Sequence, residues 1–128
     1  NPKYPKFINI VIEVSTSLKP IDLMKILLKI EHDLERERKN KNDPRTCDID
    51  IIDYKNESMN LKLEKIQLKI PHISMTKRNF VLLPLKEICP YWSHPLTKEP
   101  IDHLINNLKG KNNNITKLSQ SDIINYVE

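Results

Sequence analysis

A chain of 128 residues that holds a single glycine, Gly110, has few cheap ways to turn its backbone left-handed. Glycine alone enters positive φ without a steric penalty. The scarcity predicts fewer left-handed turns than a complete small α/β domain uses. The sequence also starts at Asn1 rather than at a methionine and runs almost at once into a strand pattern. Together these features predict one portion of a larger fold.

Nothing in the composition points to a membrane or to disorder. Apolar residues make up 38% and charged residues 30%, the balance of a globular chain with one hydrophobic core. No apolar run approaches the roughly 18 residues that suggest a membrane-crossing helix, and the start NPKYPKF lacks the apolar stretch of a signal peptide. Cys47 and Cys89 show no metal-ligand spacing. They are expected to be reduced, buried thiols of a cytoplasmic protein. A net charge of +4 suits an anionic partner, although a modest lysine excess also serves solubility alone. The kind of cation is more informative. Only Arg36, Arg38, Arg45 and Arg78 are arginines in a lysine-dominated chain. A guanidinium grips phosphate through a planar, bidentate fork that an ammonium cannot offer.

Apolar periodicity lays out the elements. Phe7 to Val14 (FINIVIEV) predicts a mostly buried strand, interrupted by Asn9 and Glu13. Pro20 suits the first position of a helix and Asp22 its first turn. Met24, Leu27, Leu28, Glu31 and Leu34 then keep helical spacing to about Arg36–Arg38. After the polar loop Lys39–Pro44, Cys47 to Tyr54 (CDIDIIDY) alternates as a second strand. Lys55, Asn56 and Glu57 predict a hairpin turn with a short returning strand around Ser58 to Asn60. Leu61 to Lys69 reads as a helical turn followed by extended chain, closed by Pro71. A short helix is expected over Thr76 to Leu85, broken or ended near Pro84, and another over Pro100 to Leu108. Residues 1–110 form the expected domain, and 111–128 a polar tail or a linker into a further domain.

Chemistry concentrates in three places. Asp48 and Asp50 share one face of their strand, opposite Ile49 and Ile51, with α-carbons about 6.6 Å apart by strand rise. Such a pair can hold Mg2+ together with substrate phosphates, or it can be a plain solvated face. Arg45, in PRTCDID, puts a guanidinium at the mouth of the same strand, as polyphosphate chemistry needs. Arg36 and Arg38 reach the same face, or simply end a mixed-charge helix in which Glu35 and Glu37 alternate with them. PHISMTKRNF adds His72, Arg78 and Phe80, none of which would stand out alone.

The strings FIN (Phe7–Asn9), PRTCDIDII (Pro44–Ile52) and PHISMTKRNFVLLPLKEI (Pro71–Ile88) resemble, in order and spacing, the signature of the 6-hydroxymethyl-7,8-dihydropterin pyrophosphokinase family of folate biosynthesis. The resemblance runs from about Tyr4 to Tyr91. It implies an α+β fold, a ferredoxin-like antiparallel sheet with helices packed on it, here N-terminally truncated by the family's first strand, loop, helix and second strand. It implies transfer of a diphosphate from ATP to the pterin hydroxymethyl group, with AMP leaving. By position, Asp48 and Asp50 would hold two Mg2+ ions with ATP, and Phe7 and Phe80 would sandwich the pterin, whose edge Asn9 would hydrogen-bond. Glu31, His72 and Arg78 would meet the nucleotide, and Arg36, Arg38 and Arg45, with Asp50, would serve catalysis. Ile73 departs from the aromatic that often follows the histidine. ATP and hydroxymethyl-dihydropterin are the implied partners, with no nucleic acid and no membrane, and with a fused or complementing folate-pathway domain as the alternative setting. A basic RNA-binding module on a similar sheet is the rival from another class.

Overall fold

The computed structural model describes residues 8–36, 47–111 and 115–118. They divide into two compact units, one of residues 14–36, 47–74 and 93–98, the other of 8–13, 75–92, 99–111 and 115–118. The architecture is α+β, with three α-helices and one two-stranded antiparallel sheet among the described residues. No helix among them is long and apolar enough to cross a membrane.

In the first unit, helix α1 (Pro20–Glu35) starts where proline's fixed φ and missing N–H cost nothing. Lys19 caps it through its backbone, its carbonyl accepting the Leu23 N–H at 2.9 Å. Strands β1 (Met59–Leu63) and β2 (Ile66–Ile70) form a hairpin. Its register pairs Met59 with Ile70, Leu61 with Leu68 and Leu63 with Ile66, and Asn60 with Lys69 and Lys62 with Gln67. Period-two geometry therefore puts apolar pairs on one face and polar pairs on the other. Leu68 and Ile70 join Ile51 in a buried cluster, against which Ile21, Leu23, Met24 and Leu27 of α1 pack with Tyr54, Met59 and Leu61.

The second unit is helical. A 3-10 turn (Met75–Lys77) leads into α2 (Asn79–Ile88), and α3 (Ile101–Asn106) packs against both. Met75, Leu82, Leu85, Trp92, Ile101, Leu104 and Leu108 are its buried residues. Lys86 of α2 and Asp102 of α3 form an ion pair at 2.7 Å.

Several elements differ from the sequence expectation. Leu61 to Lys69 is a β-hairpin. Helix α2 runs on through Pro84, with Leu82 and Leu85 buried on either side of it. Proline there removes one N–H donor that would serve Phe80, a local loss that the buried face of the helix outweighs. Residues 8–14 and 47–53 are not strands. Alternating apolar residues encode which side of a segment is buried, but a strand also needs a ladder partner, and neither segment has one among the described residues. Burial fails at 8–14 as well, where Ile8, Ile10, Ile12 and Val14 are 46, 72, 70 and 60% exposed. Cys47 is exposed and Cys89 half-buried, against the expectation of two buried thiols. Cys47 is not among the residues packed around Ile51.

Left-handed turns occur without glycine. Lys55, Asn56, Glu64 and Lys98 have φ of 54, 55, 54 and 65°. Lys55 and Asn56 are the central pair of the expected turn, closed by Glu57 N–H donating to the Tyr54 carbonyl at 3.0 Å. Asp53 steadies it, its carboxylate accepting the Asn56 N–H at 3.2 Å. Gly110 takes φ +82° just past α3, and a Cβ there would meet nothing within 4 Å, so the backbone angle alone favours glycine.

Candidate active site

The acidic pair sits where period two places it. Asp48 and Asp50 are exposed, Ile49 is half-buried and Ile51 is in the core. The segment has the sidedness of a strand, with no ladder partner among the described residues, and other groups hold its backbone. Glu31, one turn from the end of α1, is the first of them. Its Oε2 accepts the Ile49 N–H at 2.5 Å. His72, just beyond β2, is the second, its N–H donating to the Ile52 carbonyl at 3.3 Å. Tyr54 closes the far end, donating its hydroxyl to the Leu18 carbonyl at 2.5 Å.

The His72 side chain turns to the same acidic face. Its Nδ1 accepts the Ser74 N–H at 3.2 Å, which leaves the ring hydrogen on Nε2. That Nε2 lies 4.0 Å from Asp50 Oδ2. Glu31, Asp48, Asp50 and His72 are thus brought together within one unit. Arg36, in the same unit, is the C-cap of α1 and exposed.

In the other unit, the Arg78 guanidinium carbon lies 5.6 Å from the centre of the Phe80 ring. This is cation–π distance. Arg78 also starts α2, its carbonyl accepting the Val81 and Leu82 N–H groups at 3.0 Å each. Phe80 remains 36% exposed on the first turn, so part of its ring faces solvent. Asn9 is exposed. Phe7, Arg38 and Arg45 lie outside the described residues.

Two carboxylates on an exposed face suit Mg2+. It is a hard cation that takes few protein oxygens and completes its shell with water and substrate phosphate. No group of three or more His, Cys, Asp or Glu side chains among the described residues forms a closed metal cage. Two hard oxygen donors are compatible with an ion that completes its shell with a phosphate ligand.

The sequence reading missed the backbone contacts of Glu31 and His72. One signal for the first was available. Glu31 continues the stripe Met24, Leu27, Leu34 on α1, and a carboxylate on an apolar stripe needs a donor to satisfy it.

Comparison with known proteins agrees with the strings quoted above. A sequence profile described as 7,8-dihydro-6-hydroxymethylpterin-pyrophosphokinase matches residues 2–90. The chain is 41% identical over 104 residues to a 2-amino-4-hydroxy-6-hydroxymethyldihydropteridine pyrophosphokinase of Synechocystis, covering 81% of the chain and 51% of that protein. To the protein of that name in Aquifex aeolicus it is 40% identical over 95 residues, 74% of the chain and 57% of the relative. It is 46% identical over 89 residues to the folic acid synthesis protein FOL1 of Dictyostelium discoideum, 70% of the chain but 13% of the relative. The chain spans about half the length of the bacterial relatives it matches. With its acidic pair, His72, Arg78 and Phe80 all inside the matched stretch, the chain belongs to the 7,8-dihydro-6-hydroxymethylpterin-pyrophosphokinase family.

Proposed function

We propose that the protein carrying this chain transfers a diphosphate from ATP to 6-hydroxymethyl-7,8-dihydropterin, giving the pterin diphosphate and AMP. The observation that carries the reading is the acidic pair. Asp48 and Asp50 stand on one exposed face of a segment anchored by Ile51, Glu31 and His72, within the stretch that the family profile matches.

The pterin hydroxymethyl oxygen attacks the β-phosphorus and gives up its proton to water. The bond from that phosphorus to the α–β bridging oxygen breaks, and AMP leaves with that oxygen. Asp48 and Asp50 would hold two Mg2+ ions with ATP, which supply charge neutralisation along the phosphates. Arg36, Arg38, Arg45 and Arg78 add fixed positive charge for the phosphates. His72 offers the nucleotide its Nε2 hydrogen. Phe7 and Phe80 take the flat pterin ring, and Asn9 its polar edge. Catalysis by such a set is positioning and electrostatics, without a covalent intermediate.

The hairpin with α1 on its apolar face supports reading the fold as ferredoxin-like, with β1 and β2 as two of its strands. The same reading makes ATP and the pterin the partners, without nucleic acid or membrane, and sets the protein in the cytoplasm. Residues 1–110 would be the catalytic portion and 111–128 a tail or linker.

The product tells this reaction from ordinary kinase chemistry. The full-length protein with ATP, Mg2+ and hydroxymethyl-dihydropterin should yield AMP in step with the pterin diphosphate, resolved by ion-exchange chromatography. ADP as the nucleotide product would defeat the proposal.

A second reading is that the chain works as one segment of a longer folate-synthesis protein. Its small share of the FOL1 relatives, 13% in Dictyostelium discoideum and 14% in Schizosaccharomyces pombe, favours it. It expects AMP from the long protein and none from residues 1–128 alone.

Phe80 gives a separate test. Phe80→Ala should weaken pterin binding about tenfold, since an aromatic stack is worth ~0.5–1.5 kcal/mol beyond its area. Phe80→Tyr should keep most of it. Fluorescence titration with the pterin measures both, and equal affinity in all three proteins would remove Phe80 from the site.

A further inference from the structure

The segment 47–53 has the alternation of a strand but pairs with no strand among the described residues. Where its carboxylates point therefore depends on groups outside a ladder. Ile51 fixes the inward side, and His72 N–H fixes the Ile52 carbonyl at 3.3 Å. Neither fixes the peptide between Asp48 and Asp50. Glu31 reaches that peptide directly, its Oε2 taking the Ile49 N–H.

We infer that Glu31 is a positioning residue, which holds the Asp48–Asp50 backbone through the Ile49 N–H so that both carboxylates present one preformed face to a divalent cation. The inference rests on the pyrophosphokinase reading for its purpose, and it changes the part that Glu31 plays there. The family resemblance gives Glu31 to the nucleotide. The structure gives its Oε2 to the chain itself.

The physical reason is local. Ile49 is flanked on both sides by the two aspartates, so rotation about its φ or ψ swings one carboxylate relative to the other. The hydrogen bond ties the segment to the apolar stripe of α1, which is itself packed against the core. Without it, the ordering of the pair falls to the moment of cation binding and weakens affinity. Groups that orient metal-binding side chains without touching the metal typically change affinity by about 10- to 100-fold.

The test uses the full-length protein and two readouts besides activity. Amide hydrogen exchange at Ile49, followed by NMR, reports the bond. Mn2+ affinity in the presence of a non-hydrolysable ATP analogue, read by electron paramagnetic resonance, reports its consequence. In Glu31→Ala the Ile49 amide should exchange roughly tenfold faster or more, and Mn2+ should bind about tenfold more weakly. Nucleotide affinity without metal should stay unchanged. Glu31→Gln keeps an oxygen acceptor at the same reach and should return both readouts to within about threefold of the parent. Glu31→Asp, which withdraws the acceptor by one methylene, should repeat the loss and serves if the alanine variant does not fold.

An Ile49 amide as protected in Glu31→Ala as in the parent overturns the inference. So does unchanged Mn2+ affinity, a glutamine variant as impaired as alanine, or a loss of nucleotide affinity without metal. The pyrophosphokinase reading is judged apart from this, on whether the unsubstituted protein forms AMP.

Discussion

Asp48→Asn and Asp50→Asn should each cut Mg2+-dependent AMP formation by about a hundredfold or more, while the protein stays as stable as its parent. Asparagine keeps the shape of aspartate and one oxygen acceptor but carries no charge. A divalent cation held by only two protein carboxylates loses half its protein-derived negative charge with either substitution. Removing ~3 kcal/mol of transition-state stabilisation, within the several kcal/mol that a bound metal supplies, corresponds to about a hundredfold in rate. The cost to folding should be small because both side chains are exposed, while the inward side of the segment is carried by Ile49 and Ile51. Exposed substitutions of this kind usually stay within about 0.5 kcal/mol. Assay of AMP release alongside thermal unfolding checks both halves. Full activity in either variant removes that aspartate from the metal assignment. Lost activity with a collapsed melting curve would make the effect one of folding instead.

How much of this was legible in the sequence depends on the kind of information each residue carries. Sidedness was legible. Ile51 inward with Asp48 and Asp50 outward follows from alternation alone, and α1 from the spacing of Met24, Leu27 and Leu34 behind Pro20. Pairing was not. The apolar runs at 8–14 and 47–53 say nothing of which backbone would bond them, and the ladder among the described residues joins Met59–Leu63 to Ile66–Ile70, a stretch that reads as the end of a short strand, then a helical turn and extended chain. The turn at Lys55–Asn56 was legible, but the scarcity of glycine misled, because Lys55, Asn56 and Glu64 take left-handed angles that one would assign to glycine. Tertiary packing supplies the compensation that local preference lacks. Of the candidate site, Arg78 beside Phe80 and His72 beside Asp50 emerged only with coordinates, since neither contact has a sequence signal. The family strings had grouped those residues by role and not by distance.

Helix α2 offers the sharpest stability test, because the sequence expects a break near Pro84 and the structure runs through it. Leu82 is 0% exposed, whereas its neighbour Leu83 is 39% exposed. Leu85, on the other side of the proline, is again buried. Residues 82 and 85 share a face only if helical phase survives Pro84. Leu82→Ala should then cost ~3 kcal/mol, the transfer loss of a fully buried side chain plus the cavity it leaves beside α3 and the 3-10 turn. In a domain of this size that lowers the melting temperature by roughly 10 °C. Leu85→Ala should cost a similar amount, and Leu83→Ala less than about 1 kcal/mol. Urea unfolding of the three variants measures the order. A helix broken at Pro84 would free Leu85 from the phase of Leu82 and let its substitution pass as lightly as that of Leu83. Equal losses at 82 and 85 mean instead that the buried stripe keeps α2 helical through its own proline. The same stripe then fixes the first turn, which carries Phe80 and opens at Arg78.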